Sequence, residues 1–339
     1  METLEPEEAL RELERLESDQ PGLRAAVEGL RANGEVARSF MQTHTPGKDN
    51  LPISSLQVGD TIGIWQIEGV LGTGGMGEVY KATRSDGLFE QRVALKLARN
   101  RETRLAERFE VERKRLAQLE HPNIARIVDG GATEAGSPYM TMEFVSGISI
   151  DAYSRDNRLG RKERLNLIVK LCAALAHAHG RLILHRDVKH ANVLINAEGE
   201  LRLIDFGVAA LIDESTKDGR QGPLTLGYAA PEQLLGKPES AATDVFAGAM
   251  LAHLLETGAL PERQSDAGVA IDSAAIGDPD LAAILRKATA FDPAARYGSV
   301  DAFGDDLEKW IDGHPVAARP ISEPARLGKL IARNKQAST

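Results

Sequence analysis

The 339-residue chain has a single cysteine, Cys172, no uncharged apolar run of membrane-spanning length and no surplus of basic side chains. One cysteine excludes an intramolecular disulfide framework and any cysteine-rich zinc site. Cys172 falls in the apolar helical run Leu167 to Ala178, a setting that predicts a buried, inert thiol and not a nucleophile. The nearest approach to a membrane span, Val245 to Leu260, is interrupted by His253 and Glu256. The N-terminus, Met1-Glu2-Thr3-Leu4-Glu5, is acidic where a signal peptide would be basic and then apolar. These absences predict a cytoplasmic chain. With 50 acidic against 41 basic side chains the formal charge is −9, which argues against nucleic acid as a partner.

What is present suffices for a sizeable core: 42% of the residues are apolar. At about 150 residues per domain, the length predicts two domains or lobes. Residues 1–42 read as a helical module, with Leu10, Leu13 and Leu16 on one stripe and Leu23, Val27 and Leu30 on a second. A linker over 43–60 is signalled by the shift to Pro, Gly, Asn and Ser. Strands are predicted over Thr61–Val70, Glu78–Thr83, Gln91–Leu97, Ile124–Val128 and Tyr139–Val145, with one charged helix, Glu102–Leu119, among them. Helices then dominate: Arg164–His179, Ala241–Thr257, Leu281–Ala290 and Val300–Ile311. The expected class is α+β, a small β-rich lobe with one helix over about 61–145 and a larger helical lobe over about 146–312. A basic tail over 313–339 carries Arg319, Arg326, Lys329, Arg333 and Lys335 against Glu323. It fits a solvated tail or a juxtamembrane segment, with membrane anchoring expected only if the native chain continues past Thr339.

Three segments carry chemistry. Leu71-Gly72-Thr73-Gly74-Gly75-Met76-Gly77-Glu78-Val79 has the glycines of a phosphate-binding loop, but Gly77 runs into a strand where a dinucleotide fingerprint would open a helix. A glycine-rich hairpin lets backbone N–H groups approach phosphate oxygens, as a flap over a nucleotide requires. In Val93-Ala94-Leu95-Lys96 the lysine stands among apolar neighbours and needs anions. Its predicted carboxylate partner is Glu112, one turn before Leu116 beside the apolar stripe, in preference to Glu107 or Glu110. In His185-Arg186-Asp187-Val188-Lys189-His190-Ala191-Asn192, one loop supplies a base, a cation and a metal-binding oxygen. Asp205-Phe206-Gly207 follows the strand Leu201–Ile204 and offers a carboxylate suited to Mg²⁺.

Together with Ala230-Pro231-Glu232, His121-Pro122-Asn123, Asp244 and Asp292-Pro293-Ala294-Ala295-Arg296, these motifs resemble the bacterial branch of the eukaryotic-like (Hanks-type) serine/threonine protein kinases, in order over about Thr61–Trp310. The resemblance implies a bilobal fold that binds Mg·ATP, with Mn²⁺ as an alternative ion, and phosphorylates protein Ser/Thr hydroxyls, itself included, in bacterial signalling. It implies Asp187 as acceptor of the substrate hydroxyl proton, Lys189 beside the γ-phosphate, and Asn192 and Asp205 as metal ligands. It implies that Gly72, Gly74 and Gly77 cover the phosphates and that Lys96, fixed by Glu112, holds them. Val79, Ala94 and Leu194 would sandwich the adenine, Glu143 to Val145 would meet its edge, and Met142 would lie behind it. Arg296 would pair with Glu232. Lys189 and Thr225 carry the Ser/Thr assignment. A homodimer is compatible with this reading.

Departures are His190 in place of the usual Pro, Leu224 where Gly commonly precedes Thr225, and a transposed Gly248-Ala249. None removes a phosphate- or metal-handling group. Arg186 is expected to seek an anion, and Asp213, Glu214 and Asp218 could supply charge without phosphorylation of Ser215 or Thr216. A scaffold that binds nucleotide without transfer and a small-molecule phosphotransferase are the competing readings.

Overall fold

The structure, a computed structural model, describes residues 56–74, 77–98, 115–206, 226–264 and 268–319. The helical module over 1–42, Glu112, Gly207, the acidic stretch around Ser215, Leu224, Thr225 and the tail past Arg319 lie outside these residues.

The first half is an antiparallel sheet of β1 (Thr61–Ile62), β2 (Trp65–Gly74), β3 (Gly77–Arg84), β4 (Arg92–Ala98), β5 (Ile127–Ala132) and β6 (Pro138–Glu143), in the order β1-β2-β3-β4-β6-β5. Period-two alternation in β4 puts Val93, Leu95 and Leu97 on one face, where they join Trp65, Ile67 and Tyr80 in a core. Ala94 and Lys96 therefore point to the other face. The expected single strand Thr61–Val70 is split, because Gly63 takes φ +57 and folds Ile62 back onto Trp65. The strand expected at Ile124–Val128 begins three residues later. Residues 121–125 instead turn toward a second sheet: Leu203 donates its N–H to Asn123 O at 2.8 Å, and Ala125 donates to Leu203 O at 3.0 Å. Of the charged helix expected over Glu102–Leu119, only the C-terminal end from Arg115 lies among the described residues; Leu116 and Leu119 are buried there.

The second sheet, β7 (Gly147–Ser149), β8 (Val193–Asn196) and β9 (Leu201–Leu203), introduces a helical half. Its helices are α1 (Ile150–Asp156), α2 (Arg161–His179), α3 (Pro231–Leu234), α4 (Ala241–Thr257), α5 (Ser273–Ile276), α6 (Pro279–Ala288) and α7 (Val300–Ile311). Helix α2 starts three residues earlier than the apolar periodicity indicates, since Glu163 reaches back to accept the Gly160 N–H at 2.6 Å. Helix α6 is likewise moved forward by the Asp278 side chain, which accepts the N–H groups of Asp280 and Leu281. Helix α4 runs from its Ser240 cap to Gly258 in the left-handed region at φ +78.

Leu171, Leu175, Phe246, Met250, Leu285, Phe303 and Leu307 form the centre of this half; each such side chain contributes about 1.5–3 kcal/mol by leaving water. Cys172 is buried against Gly304, where an added Cβ would lie 3.1 Å from its own Cβ. Burial, with Asp301 and Glu308 nearby, pushes its thiol far up, consistent with the inert role expected. The expected Arg296–Glu232 pair is present, buried and bidentate at 2.7 and 2.8 Å. The α+β architecture with a β-rich and a helical lobe is thus as expected. No helix among the described residues is long and apolar enough to cross a membrane.

Candidate active site

The loop between α2 and β8 is held from below by Asp244, in the first turn of α4. Its Oδ2 accepts the backbone N–H of His185 at 2.9 Å and lies 2.7 Å from His179 Nε2; its Oδ1 accepts the Arg186 N–H at 2.8 Å. Burial alone would push this carboxyl up, but the His179 contact and the other hydrogen bonds outweigh it and hold the group below its ordinary range. Those bonds fix Arg186 at φ +67, a conformation costly for a non-glycine residue. The next residue, Asp187, is thereby set at the lip of the loop.

Asp187, Lys189 and Asn192 converge there. Lys189 Nζ donates to Asp187 Oδ2 at 2.7 Å. Asn192 Nδ2 donates to the backbone oxygen of Asp187 at 2.8 Å and to its Oδ2 at 3.2 Å. With its amide nitrogen so used, Asn192 keeps its Oδ1 as an acceptor. The backbone of Asn192 also accepts the Ile204 N–H at 2.9 Å, which ties this loop to the end of β9.

Asp205 follows directly. It adopts φ +67, tolerable for an aspartate, and its Oδ1 lies 2.8 Å from Lys96 Nζ. Lys96 is only 7% exposed, so this ion pair satisfies a charge that the apolar strand could not hold alone. His185 steadies the same turn, with Nε2 3.0 Å from Ile204 O and its ring 4.7 Å from that of Phe206. His185 and Phe206 are both buried.

The sheet face that carries Lys96 also carries Val79 and Ala94, two of the predicted nucleotide residues. In register, Gly72 pairs with Val79, Val79 with Lys96, Lys96 with Met140, and Ala94 with Met142. Cross-strand partners share a face, so Val79, Ala94, Lys96, Met140 and Met142 line one surface. Behind it is a small apolar cavity bounded by Leu119, Ile127, Met140, Met142, Asp205 and Phe206. Leu194 is half-buried on β8. Glu143 ends β6, and its N–H is already donated to Arg126 O at 2.8 Å, so that N–H is not one a ligand edge can take; Val145 lies just beyond. The glycine segment is a strand-to-strand hairpin with Gly74 opposite Gly77, not a helix start. Gly77 requires its missing Cβ: at φ +139 an added carbon would sit 2.1 Å from Leu97 O.

Several supporting contacts were not foreseen. Arg186 lies 3.4 Å from Glu239, a carboxylate outside the acidic stretch named above. Gln233 Nε2 donates to Arg186 O at 2.9 Å, and His190 Nδ1 lies 2.8 Å from the Tyr228 hydroxyl. Two of these left a signal in the sequence: His190 as a departure from pattern, and Arg186 as a cation in need of an anion, though Glu239 itself was not singled out.

A family model described as "Protein kinase domain" matches residues 65–292. The serine/threonine-protein kinase PrkC of Bacillus subtilis is 33% identical over 288 residues, 79% of this chain and 44% of that protein. A probable serine/threonine-protein kinase of Corynebacterium efficiens is 33% identical over 270 residues, 72% of this chain and 41% of its own length. The serine/threonine-protein kinase PknA of Mycobacterium tuberculosis is 31% identical over 317 residues, 84% of this chain and 72% of that one. This chain therefore spans less than half the length of two of these three relatives. Among solved structures, the Mycobacterium tuberculosis PknI kinase domain superposes with a TM-score of 0.60 at 29% identity, covering 75% of this chain and 99% of that domain.

Proposed function

This chain belongs to the protein kinase family, and from that premise we propose that it transfers the γ-phosphoryl group of ATP to serine and threonine hydroxyls of proteins. One observation carries the reading: Lys96 of the first sheet and Asp205 of the second half meet at 2.8 Å, beside the loop that bundles Asp187, Lys189 and Asn192. Two cations, two carboxylates and an amide gathered here are the groups that phosphoryl transfer needs.

The donor set fits a hard divalent cation. Asp205 and Asn192 offer carboxylate and amide oxygens, the hard donors such an ion takes. We assign Mg²⁺ to Asn192 and Asp205, with Mn²⁺ able to substitute. When bound, the ion neutralises charge on the phosphoryl group in transit. The remaining work falls to the chain's own residues. Lys96 binds the α- and β-phosphates, leaving its pairing with Asp205 to do so. Asp187 accepts the proton of the acceptor hydroxyl and orients its oxygen for in-line attack. Lys189, 2.7 Å from that carboxylate, holds it in place and offers positive charge near the γ-phosphate. Gly72, Gly74 and Gly77 cover the phosphates, while Val79, Ala94 and Leu194 enclose the base. Using ATP, the reaction belongs to the cytoplasmic side of any membrane.

The test is incubation with γ-labelled ATP and Mg²⁺, followed by phosphoamino-acid analysis. Label on serine and threonine of the chain itself or of an added basic protein is expected. Nucleotide binding without transfer, or label on a small molecule alone, would refute the proposal.

A further inference from the structure

His190 directly follows Lys189, departs from the family pattern and has no part in the chemistry assigned above. It opens a short 3-10 turn, His190–Asn192. Its Nδ1 lies 2.8 Å from the Tyr228 hydroxyl, and the two ring centroids are 5.7 Å apart. Tyr228 is only 4% exposed, so its hydroxyl depends on a protein partner. The Asp151 carboxylate, in the first turn of α1, is within electrostatic reach of the same imidazole.

Other side chains tie down the same stretch. Gln233 Nε2 donates to Arg186 O at 2.9 Å. The Arg263 guanidinium donates to the carbonyls of Leu226 at 3.0 Å, of Gly227 at 3.4 Å, and of Ala229. The segment Leu226–Ala230 is therefore fastened to the catalytic loop through His190, on the C-terminal side of Asp187, while α3, which follows it, is fastened through Arg186 on the N-terminal side. Consecutive Cα atoms lie about 3.8 Å apart, so the residues flanking a hydroxyl delivered to Asp187 run within about 8 Å of it. They must pass over whatever borders that loop, and the segment tied to it through Tyr228 and His190 is such a border, with Leu226 67% exposed two positions before Tyr228. The nucleotide-facing residues Val79, Ala94 and Lys96 belong to the sheet and not to this border.

We propose that His190 is a positioning residue for the protein substrate: its bond to Tyr228 fixes the Leu226–Ala230 segment against the catalytic loop and so governs acceptor binding, not nucleotide binding. This rests on the kinase reading above. The departure from proline at this position is then functional, since proline offers no side-chain group to the tyrosine hydroxyl.

The experiment is steady-state kinetics on the full chain with γ-labelled ATP and myelin basic protein, each varied in turn. His190→Ala should raise KM for the acceptor about fivefold, the worth of one net hydrogen bond, with KM for ATP unchanged. Tyr228→Phe should do the same, the double variant should add little, and His190→Asn, which can still meet the hydroxyl, should recover most of the loss. Should His190→Ala lower the melting temperature, the Tyr228→Phe result decides, because it removes one oxygen and leaves the ring packing. A wild-type acceptor KM in both single variants, or an effect confined to kcat or to KM for ATP, would overturn the inference. Absence of transfer by the wild-type chain would instead defeat the kinase reading, and the inference with it.

Discussion

The ammonium of Lys96 lies 2.8 Å from the carboxylate of Asp205, although 109 positions separate them in the chain. Lys96→Met and Asp205→Asn should each lower phosphoryl transfer by about 10²–10³-fold, as removal of one electrostatic group from a preorganised site does. Asp205 sits at φ +67, a region that Asn accepts and Ala does not. Both changes leave the buried Lys96 charge without its anion, so each should lower stability, and Asp205→Ala should lose about 1–2 kcal/mol more than Asp205→Asn in urea unfolding. Near-normal transfer in Lys96→Met or Asp205→Asn would remove the site assignment.

The hairpin glycines should separate in a paired experiment. At Gly77 an added Cβ would lie 2.1 Å from Leu97 O, and φ is +139; at Gly72 nothing lies within 4 Å. Gly77→Ala should lower both stability and ATP affinity. Gly72→Ala should leave the melting temperature unchanged and weaken ATP alone, since a methyl there obstructs only an approaching phosphate. Equal melting temperatures for the two variants would contradict this reading.

Glu232 gives a dependence on acid. Burial, the largest influence, pushes its carboxyl up, but the bidentate Arg296, its own helix backbone and Thr243 together hold it below the ordinary 4.5. On acidification the unfolded chain takes up this proton first. The stabilisation is thus complete above about 4.5 and is lost as the pH falls through the folded-state value. Urea midpoints of wild type should fall with pH in that window, and Glu232→Gln should flatten this part of the curve. Arg296→Met, which strands a buried carboxylate, should cost about 3–5 kcal/mol at neutral pH.

Much of this was legible in the sequence because it rests on local chemistry. The helix expected over Ala241–Thr257 has those bounds, closed by Ser240 and Gly258, and Lys96, expected to need an anion among its apolar neighbours, meets Asp205. The pairing of Arg296 with Glu232 was legible only through resemblance, as 64 positions separate them. Illegible were features decided by tertiary partners. The strand near Ile124 moved because Leu203 captured Asn123 and Ala125. Asp244 read as the start of a helix, and only the folded chain shows it holding His179, His185 and Arg186. The bond of His190 to Tyr228 joins segments that no periodicity connects.

The most direct measurement is the rate of γ-phosphoryl transfer by Asp187→Asn beside wild type, with ATP affinity determined in parallel. Losing the proton acceptor should slow transfer by about 10²–10⁴-fold while the affinity for ATP stays within a factor of about two, because Asp187 is assigned no contact with the nucleotide before transfer. An Asp187→Asn chain that labels protein at the wild-type rate would contradict the account.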